Sequence, residues 1–364
     1  MKIYGVILIL LHLSISPSYA QKDQEMVYTH ATTLGIHGKA ATTKVPFHRI
    51  DTTAFKTIPK PVKNLLTLPA GLFIHFKSNT STLSAKWCVS KKKLGNNMTA
   101  IMAKGLDVYI KNTSSGQWQF AGVGRPTQIC NEAKLVSNMD NTEKEFLIYL
   151  PLFDTLSSLE IGVEQNATIE KLPNPFKHQV IIYGSSIVHG ASASRPGMTY
   201  PARLSRATGI NFVNMGVSGN AKMENTVADM LASFHPDAFI LDCVPNSSPQ
   251  QIKERTNYLV KKLREAHPKI PIIIMPTIIR EHGYWDINTG DRVNKQNEQI
   301  KTEFERLSAE GIKGIYFINP PNLLGTDHEG TTDGTHPNDL GFDRMIKAIH
   351  PELSKILGKY LQMP

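Results

Sequence analysis

Three side chains in the second half of this chain have the types and positions that nucleophilic catalysis requires. Ser186 follows the apolar run IIYGS, and Asp333 stands three residues before His336 in the segment DGTHP. A serine hydroxyl is a weak nucleophile unless a histidine within hydrogen-bonding reach takes its proton. An aspartate bound to the other ring nitrogen fixes the tautomer of that histidine and stabilises its cation. The sequence therefore predicts that Ser186, His336 and Asp333 form a catalytic triad for acyl transfer.

Acyl transfer also needs hydrogen-bond donors for the negative oxygen of the tetrahedral intermediate. The segments NMGVSGN and DCVPNSS contain Gly219 and Asn246. We predict an oxyanion hole made by the backbone amides of Ser186 and Gly219 and by the side-chain amide of Asn246. Taken singly, each segment is also typical of a turn or a helix start. His189, on a predicted first helical turn, is not expected to face the serine as its base.

The elements that must hold these residues alternate between strand and helix. Five apolar runs, separated by segments with helical periodicity, predict strands: QVIIYG, INFVNMG, AFILDCV, PIIIMPTI and GIYFINP. Near-continuous apolar strands with helices between them predict a parallel sheet that is covered on both faces. Reactive groups gather at the carboxyl ends of such strands, which is where Ser186, Gly219 and Asn246 stand. This joint placement favours the catalytic interpretation over three unrelated turns.

The first half of the chain has a different pattern. Short alternating apolar runs, broken by turn residues, predict a β-sandwich between about residues 45 and 170. The two prolines of KLPNPFKH predict a linker at 171–178. We therefore expect a signal peptide over residues 1–20, a β-sandwich domain over 21–172 and a catalytic domain over 173–364.

The first twenty residues have the features of an export signal. Lys2 is followed by an apolar stretch, and the small residues Ser18 and Ala20 predict cleavage before Gln21. No later apolar segment approaches the roughly 20 residues that a membrane-spanning helix needs. We expect an exported protein, periplasmic or extracellular, whose mature chain has no transmembrane segment.

Composition and charge narrow the class of partner. The chain has 364 residues, 41% of them hydrophobic and 20% charged, which is typical of a folded globular protein. Its formal net charge of +9 is scattered along the chain, with Lys91, Lys92 and Lys93 as the densest run. Because the protein is expected outside the cytoplasm, we predict no nucleic-acid partner and leave open a weak preference for acidic polysaccharide.

The cysteines and histidines indicate neither a metal nor a cofactor. Cys88, Cys130 and Cys243 have no zinc-site spacing, and the histidines form no recognisable ligand motif. Cys88 and Cys130 could form a disulfide, or all three could be buried free thiols.

The segments around the predicted site resemble the conserved blocks of the SGNH hydrolases, also called GDSL-type esterases. YGSSIVHG is similar to the first block, with Ser186 at the nucleophile position and Ser185 where the motif has aspartate. NMGVSGN is similar to the second block and DGTHP to the fifth. LDCVPN resembles the third block, but Pro245 and Ser247 flank Asn246 in place of the common G-x-N-D form. The resemblance implies that the predicted triad and oxyanion residues have these roles.

The first half resembles the amino-terminal domain of a two-domain branch of this family. GLDVY, with Asp107 and Tyr109, is similar to its G-x-D-L-Y motif, with valine in place of leucine. The resemblance implies a flavodoxin-like five-stranded parallel sheet with helices on both faces, preceded by an all-β, jelly-roll-like sandwich. Asp107 and Tyr109 themselves are expected to stabilise a turn rather than to bind a ligand.

Together these features predict an exported serine esterase that removes small acyl groups, acetyl above all, from carbohydrate or another small ester. Arg195 and the run REHGYW, from Arg280 to Trp285, are candidates for the lining of the substrate pocket, with Trp285 stacking on a sugar. A loop salt bridge and a half-buried aromatic are the alternatives. Two other functions stay open. One is a lipase, lysophospholipase or thioesterase that acts on lipid acyl chains. The other is a carbohydrate-binding or adhesion protein with an inactive hydrolase domain.

Overall fold

The computed structural model describes residues 25–278 and 280–362, so the predicted signal at residues 1–20 lies outside the described residues. The strands are β1 (Met26–His30), β2 (Phe73–Ser78), β3 (Leu83–Val89), β4 (Leu106–Lys111), β5 (Trp118–Gly124), β6 (Cys130–Val136), β7 (Lys144–Tyr149), β8 (Leu156–Glu164), β9 (Ile169–Lys171), β10 (Lys177–Gly184), β11 (Ile210–Gly216), β12 (Ala238–Asp242), β13 (Ile272–Ile274) and β14 (Ile315–Phe317). The helices are α1 (Ala31–Leu34), α2 (Lys60–Leu66), α3 (Ala100–Lys104), α4 (Ser186–His189), α5 (Tyr200–Thr208), α6 (Asn225–Ala232), α7 (Pro249–Ala266), α8 (Ile287–Ala309) and α9 (Asp339–Leu357).

The second half of the chain forms a parallel sheet. Its five strands lie in the order β11-β10-β12-β13-β14, and every neighbouring pair is parallel. This is the order of a flavodoxin-like sheet, in which the chain starts near the middle and reverses direction across the sheet after the second strand. The predicted fold of this half is therefore confirmed.

Helices cover both faces of this sheet, because alternate strand residues point to opposite sides. On β10, Val180 and Ile182 pack in one core with residues of α4, α5 and α9. Their neighbours Ile181 and Tyr183 pack in a second core with residues of α6, α7 and α8. Both sets of side chains are almost fully buried, which explains why the strand is continuously apolar from Val180 to Tyr183.

The first half forms the predicted β-sandwich. One antiparallel sheet has the order β1-β8-β3-β6, and the other has the order β5-β4-β7-β2-β9. The core between them includes Trp87 and the stacked rings of Phe76 and Phe146, whose centroids are 5.2 Å apart. Cys88 and Cys130 lie opposite each other on β3 and β6 and form a disulfide, while Cys243 is a buried free thiol.

A segment between β1 and β2 packs on the parallel sheet instead of the sandwich. Ile50, Val62 and Leu66 are buried in the core that contains Ile181 of β10. The fully buried guanidinium of Arg49 donates hydrogen bonds to the carbonyl oxygens of residues 214 and 216, at 3.0 and 2.8 Å, and to those of residues 65 and 68. The segment from Arg49 to Leu66 therefore completes one face of the parallel sheet. The expected boundary between the β-sandwich domain and the catalytic domain, at residues 172/173, stays a prediction.

Within residues 25–278 and 280–362, no helix combines the length and the apolar character that crossing a bilayer would require.

Candidate active site

A sharp turn at the end of β10 presents Ser186. Gly184 ends the strand, and a Cβ atom there would lie 2.4 Å from the carbonyl oxygen of Asp242 on β12, so only glycine allows this close approach. The Ser185 hydroxyl caps α4 by accepting a hydrogen bond from the Ile187 amide at 3.2 Å. Ser186 thus begins a helical turn at the carboxyl edge of the sheet, and it keeps 8% of its surface exposed.

The histidine and the aspartate complete a chain of hydrogen bonds with this serine. The Ser186 Oγ atom lies 2.8 Å from His336 Nε2, and His336 Nδ1 lies 2.7 Å from Asp333 Oδ2. Both partners stand on the loop before α9, where Asp333 Oδ1 also accepts the backbone amides of Thr335 and His336 at 3.0 and 2.8 Å. The aspartate therefore shapes the loop as well as holding the ring.

Asn97, from the loop before α3 in the first half of the chain, also reaches this group. Its Nδ2 atom donates to Asp333 Oδ2 at 2.8 Å and lies 3.2 Å from His336 Nδ1. Partial burial alone would raise the pKa of Asp333. Hydrogen bonds from the His336 amide, the His336 ring and Asn97 outweigh that effect and lower the pKa to about 2. Asp333 is therefore a carboxylate at neutral pH, as a partner for an imidazolium must be.

A cavity of about 300 Å³ opens in front of the serine. Gly219 has a backbone φ of +73°, and a Cβ atom there would meet nothing within 4 Å, so its loop leaves room at the cavity. Asn246 Oδ1 accepts the Ala221 amide at 3.3 Å, which turns the rest of that side chain away from the Ala221 backbone. The lining residues are Ser186, Ile187, Ser218, Gly219, Pro245, Asn246, Thr277, Ile278, Arg280, Thr335 and His336.

The structure thus brings the five predicted site residues together. Ser186, His336, Gly219 and Asn246 line the same cavity, and Asp333 stands behind the histidine. A nucleophile, a base, an ionised partner for the base and two groups suited to stabilise an oxyanion are what acyl transfer through a serine requires.

His189 has a different environment. Its Nε2 atom lies 2.7 Å from the Leu152 carbonyl oxygen, and its ring stacks on Phe153 with centroids 4.0 Å apart. Complete burial, with the nearby charge of Arg49, holds the pKa of His189 well below its usual value. His189 is therefore a neutral packing residue, and not a second base.

Arg195 forms the salt bridge that was the alternative to substrate binding, and it is not among the residues that line the cavity. Its Nη1 atom donates to both carboxylate oxygens of Asp107 at 2.9 Å and bonds the Tyr109 hydroxyl at 2.5 Å. Asp107 is fully buried and also accepts the Gly197 amide at 2.8 Å. Through this ion pair and these hydrogen bonds, the G-x-D-L-Y motif on β4 of the sandwich binds the segment between α4 and α5.

Trp285 lies outside the cavity lining, at the end of a short 3-10 turn (Glu281–Tyr284). Its side chain is 90% exposed, so it is not the half-buried aromatic of the alternative interpretation. The same turn contacts the triad loop, because His282 Nδ1 lies 2.9 Å from the Gly334 carbonyl oxygen. Binding of substrate by Trp285 stays a prediction.

The sequence did not indicate Asn97, which stands 236 positions before Asp333 in a segment with no sign of catalysis. Arg280 begins the run REHGYW, a candidate for the lining of the substrate pocket, and the structure places Arg280 in the cavity lining. Among the described residues, no group of three or more His, Cys, Asp or Glu side chains is placed to hold a metal ion.

Comparison with protein-family models assigns both halves of the chain. Residues 177–354 match the GDSL-like lipase/acylhydrolase family, and residues 26–169 match the GxDLY amino-terminal domain of SGNH-hydrolase-type esterases. No curated protein matches the chain.

Solved structures of related proteins share the fold. A GDSL-like lipase from Bacteroides ovatus is 53% identical with a TM-score of 0.90, over 92% of this chain and 98% of that one. A salicylyl-acyltransferase from a tetracycline biosynthetic pathway is 20% identical with a TM-score of 0.69, over 92% and 96% of the two chains. An acetyl xylan esterase from the rumen bacterium Butyrivibrio proteoclasticus is 14% identical with a TM-score of 0.53, over 80% and 90%. The last two resemble this chain in fold alone.

Proposed function

Because the chain belongs to the GDSL-like lipase/acylhydrolase family, we propose that it is an exported serine esterase that removes small acyl groups, acetyl above all, from carbohydrate. The observation that carries this proposal is the hydrogen-bond chain from Ser186 Oγ through the His336 ring to Asp333, with distances of 2.8 and 2.7 Å. In this proposal Ser186, His336 and Asp333 are the catalytic triad.

The mechanism uses a covalent acyl-serine. Ser186 Oγ attacks the ester carbonyl carbon while His336 Nε2 takes the hydroxyl proton, and Asp333 stabilises the imidazolium that forms. His336 then gives the proton to the leaving alcohol, and the acyl group stays on the serine. Water attacks the acyl-serine in the same way, with His336 as base, which releases the carboxylic acid and restores Ser186. No other proton carrier is needed.

The carbonyl oxygen becomes negative in each tetrahedral intermediate, so donors must already be in place. The backbone amides of Ser186 and Gly219 and the side-chain amide of Asn246 are proposed for this role. Their support is that all three residues line the cavity that Ser186 faces. The Asn246 contact with Ala221 leaves its Nδ2 group as the part of the side chain that can donate to substrate.

The size and lining of the cavity favour a short acyl group. About 300 Å³ must hold both the acyl group and the reacting part of the alcohol. The apolar contribution to the lining comes from Ile187, Pro245 and Ile278, and the other side chains there are polar or absent. A long fatty acyl chain would need a continuous apolar channel, so we favour the esterase over the lipase, lysophospholipase or thioesterase.

Two observations support a carbohydrate as the alcohol part of the ester substrate. Trp285 exposes an aromatic face beside the turn that contacts the triad loop, and such faces bind the apolar sides of sugar rings. The Cys88–Cys130 disulfide fits an oxidising compartment outside the cytoplasm, where polysaccharides are found. The hydrogen-bonded triad speaks against an inactive hydrolase domain that only binds.

Hydrolysis of 4-nitrophenyl esters, from acetate to octanoate, tests the proposal. The mature protein should be most active on acetate, and Ser186→Ala should remove that activity. Ser185→Ala is a matched control, because its hydroxyl caps α4 instead of facing the cavity, and it should keep much of the rate. A preference for octanoate would favour the lipid enzyme, and no hydrolysis of any ester would favour the binding protein. Release of acetate from acetylated polysaccharides then tests the carbohydrate.

A further inference from the structure

The active-site cavity contains a cation that the proposed chemistry does not use. Arg280 lines the cavity together with Ser186 and His336. Its Nη2 atom donates to the Pro245 carbonyl oxygen at 3.2 Å, which holds the guanidinium next to Asn246. No acidic side chain lines the cavity. Within the described residues no carboxylate lies within ion-pair distance of Arg280.

The charges around Arg280 do not neutralise it. Arg292, on α8, adds a second positive charge, and partial burial with this repulsion lowers the pKa of Arg280. Asp333 attracts the guanidinium from a distance, but its oxygens are already bound by His336, Thr335 and Asn97. The carboxylate of the adjacent Glu281 contacts His328 instead of Arg280, with 2.7 Å between Glu281 Oε2 and His328 Nδ1. Partial burial of the Arg280 cation costs desolvation free energy, which a bound anion would offset.

From this arrangement we propose that Arg280 binds a carboxylate on the alcohol part of the substrate, so that the preferred substrates are acyl esters of acidic sugars. The inference rests on the proposed esterase function and names its substrate class. A guanidinium with N–H groups to spare matches a planar carboxylate, which it can bind through two parallel hydrogen bonds. Arg280 and Ser186 line the same cavity, so a carboxylate bound by Arg280 would share that cavity with the ester that is cleaved.

Two sugars that differ in one group test this recognition. Methyl glucoside and methyl glucuronoside, each acetylated at carbons 2, 3 and 4 alone, carry the same esters, but only the second has a carboxylate at carbon 6. Binding is measured by calorimetry with the Ser186→Ala protein, which cannot turn the sugars over. The uronate should bind about tenfold or more tightly than the glucoside, as expected for a hydrogen-bonded charge pair.

Substitution of the arginine should remove only this difference. Arg280→Gln in the Ser186→Ala background should weaken uronate binding about tenfold and leave glucoside binding unchanged, whereas Arg280→Lys should keep part of the preference. Arg125→Gln, at an exposed position in the β-sandwich, is the matched control and should change neither affinity. Equal binding of the two sugars, or an equal loss of both with Arg280→Gln, would overturn the inference.

A second measurement separates this inference from the esterase proposal and from a direct role in catalysis. Arg280→Gln with Ser186 intact should lower kcat/KM for the acetylated methyl glucuronoside about tenfold more than it lowers kcat/KM for 4-nitrophenyl acetate. A hundredfold loss on this neutral ester would show that the guanidinium stabilises the oxyanion, and the substrate inference would then fail. If the native protein hydrolyses no ester, the esterase proposal fails, and the calorimetry still decides whether Arg280 selects a carboxylate.

Discussion

Asn97 donates a hydrogen bond to Asp333 across 2.8 Å, and this contact joins the first half of the chain to the proposed triad. The same Nδ2 atom lies 3.2 Å from His336 Nδ1. Asn97 is therefore a positioning residue that acts through the aspartate and the ring, without touching substrate. The β-sandwich half thus contributes a side chain to the site from the loop before α3.

Asn97→Ala should lower kcat/KM for 4-nitrophenyl acetate about three- to tenfold, since water replaces part of the lost hydrogen bond. It should also raise the pKa of Asp333, because Asn97 is one of the donors that lower it. Because Asn97 does not touch substrate, the loss should appear in kcat, with KM within about twofold of the native value. Asn96→Ala, at the exposed neighbouring position, should leave both constants unchanged. A native kcat in Asn97→Ala would mean that the contact has no effect on the triad.

Asn246→Ala should reduce kcat about a hundredfold if its amide stabilises the oxyanion. Asn246→Asp distinguishes a hydrogen bond that the side chain donates to the oxyanion from its structural contact with the Ala221 amide. The carboxylate can still accept the Ala221 amide, but it cannot donate and it repels the negative oxygen. Both variants should therefore be impaired in steady-state kinetics. If Asn246→Asp keeps near-native kcat, the residue serves the loop and the oxyanion hole lacks this donor.

Arg195→Met should destabilise the protein by about 3–5 kcal/mol, because it leaves Asp107 buried without its cation. Urea unfolding measures this loss, and adding Asp107→Asn to the variant should recover part of it. KM for acetylated sugars should stay within about twofold of the native value. A severalfold rise in KM with unchanged stability would instead favour the substrate-binding role that the sequence suggested.

Asp242 should make stability depend on pH. It is fully buried at the end of β12, where desolvation outweighs the hydrogen bond from the Tyr200 hydroxyl and raises its pKa from 3.8 to about 7. The folded protein therefore holds a proton that the unfolded chain releases, so this contribution is complete below about pH 4 and declines until about pH 7. Asp242→Asn should remove the decline, so the melting temperature of the variant relative to the native protein should rise from pH 4 to pH 8. A difference that is constant across this range would show that Asp242 stays ionised in the fold.

The sequence predicts the parallel sheet and most of the site well, because each of these features is encoded in a short continuous segment of the chain. Apolar strand runs and amphipathic helices alternate from β10 to α9, and the strand ends place Ser186, Gly219 and Asn246 at one edge. The loop DGTHP is likewise short enough for Asp333 and His336 to be recognised as a pair.

What the sequence does not predict depends on contacts between distant segments. Arg49 looks like a surface cation, yet it is buried against the backbone of β11, 165 positions later at Asn214. Asn97 reaches Asp333 over a still longer separation. No local periodicity encodes such contacts, because they arise only when the sandwich and the parallel sheet pack together.

The segment around Arg49 and α2 also sets an order for folding during synthesis. It leaves the ribosome before all but the first strand of the sandwich, and its partners Ile181 and Tyr183 on β10 are made only after the sandwich is complete. Ile50, Val62 and Leu66 must therefore remain without their packing partners while more than a hundred residues are added. The sandwich can form early, but this apolar segment needs protection from other hydrophobic surfaces until the second half of the chain is made.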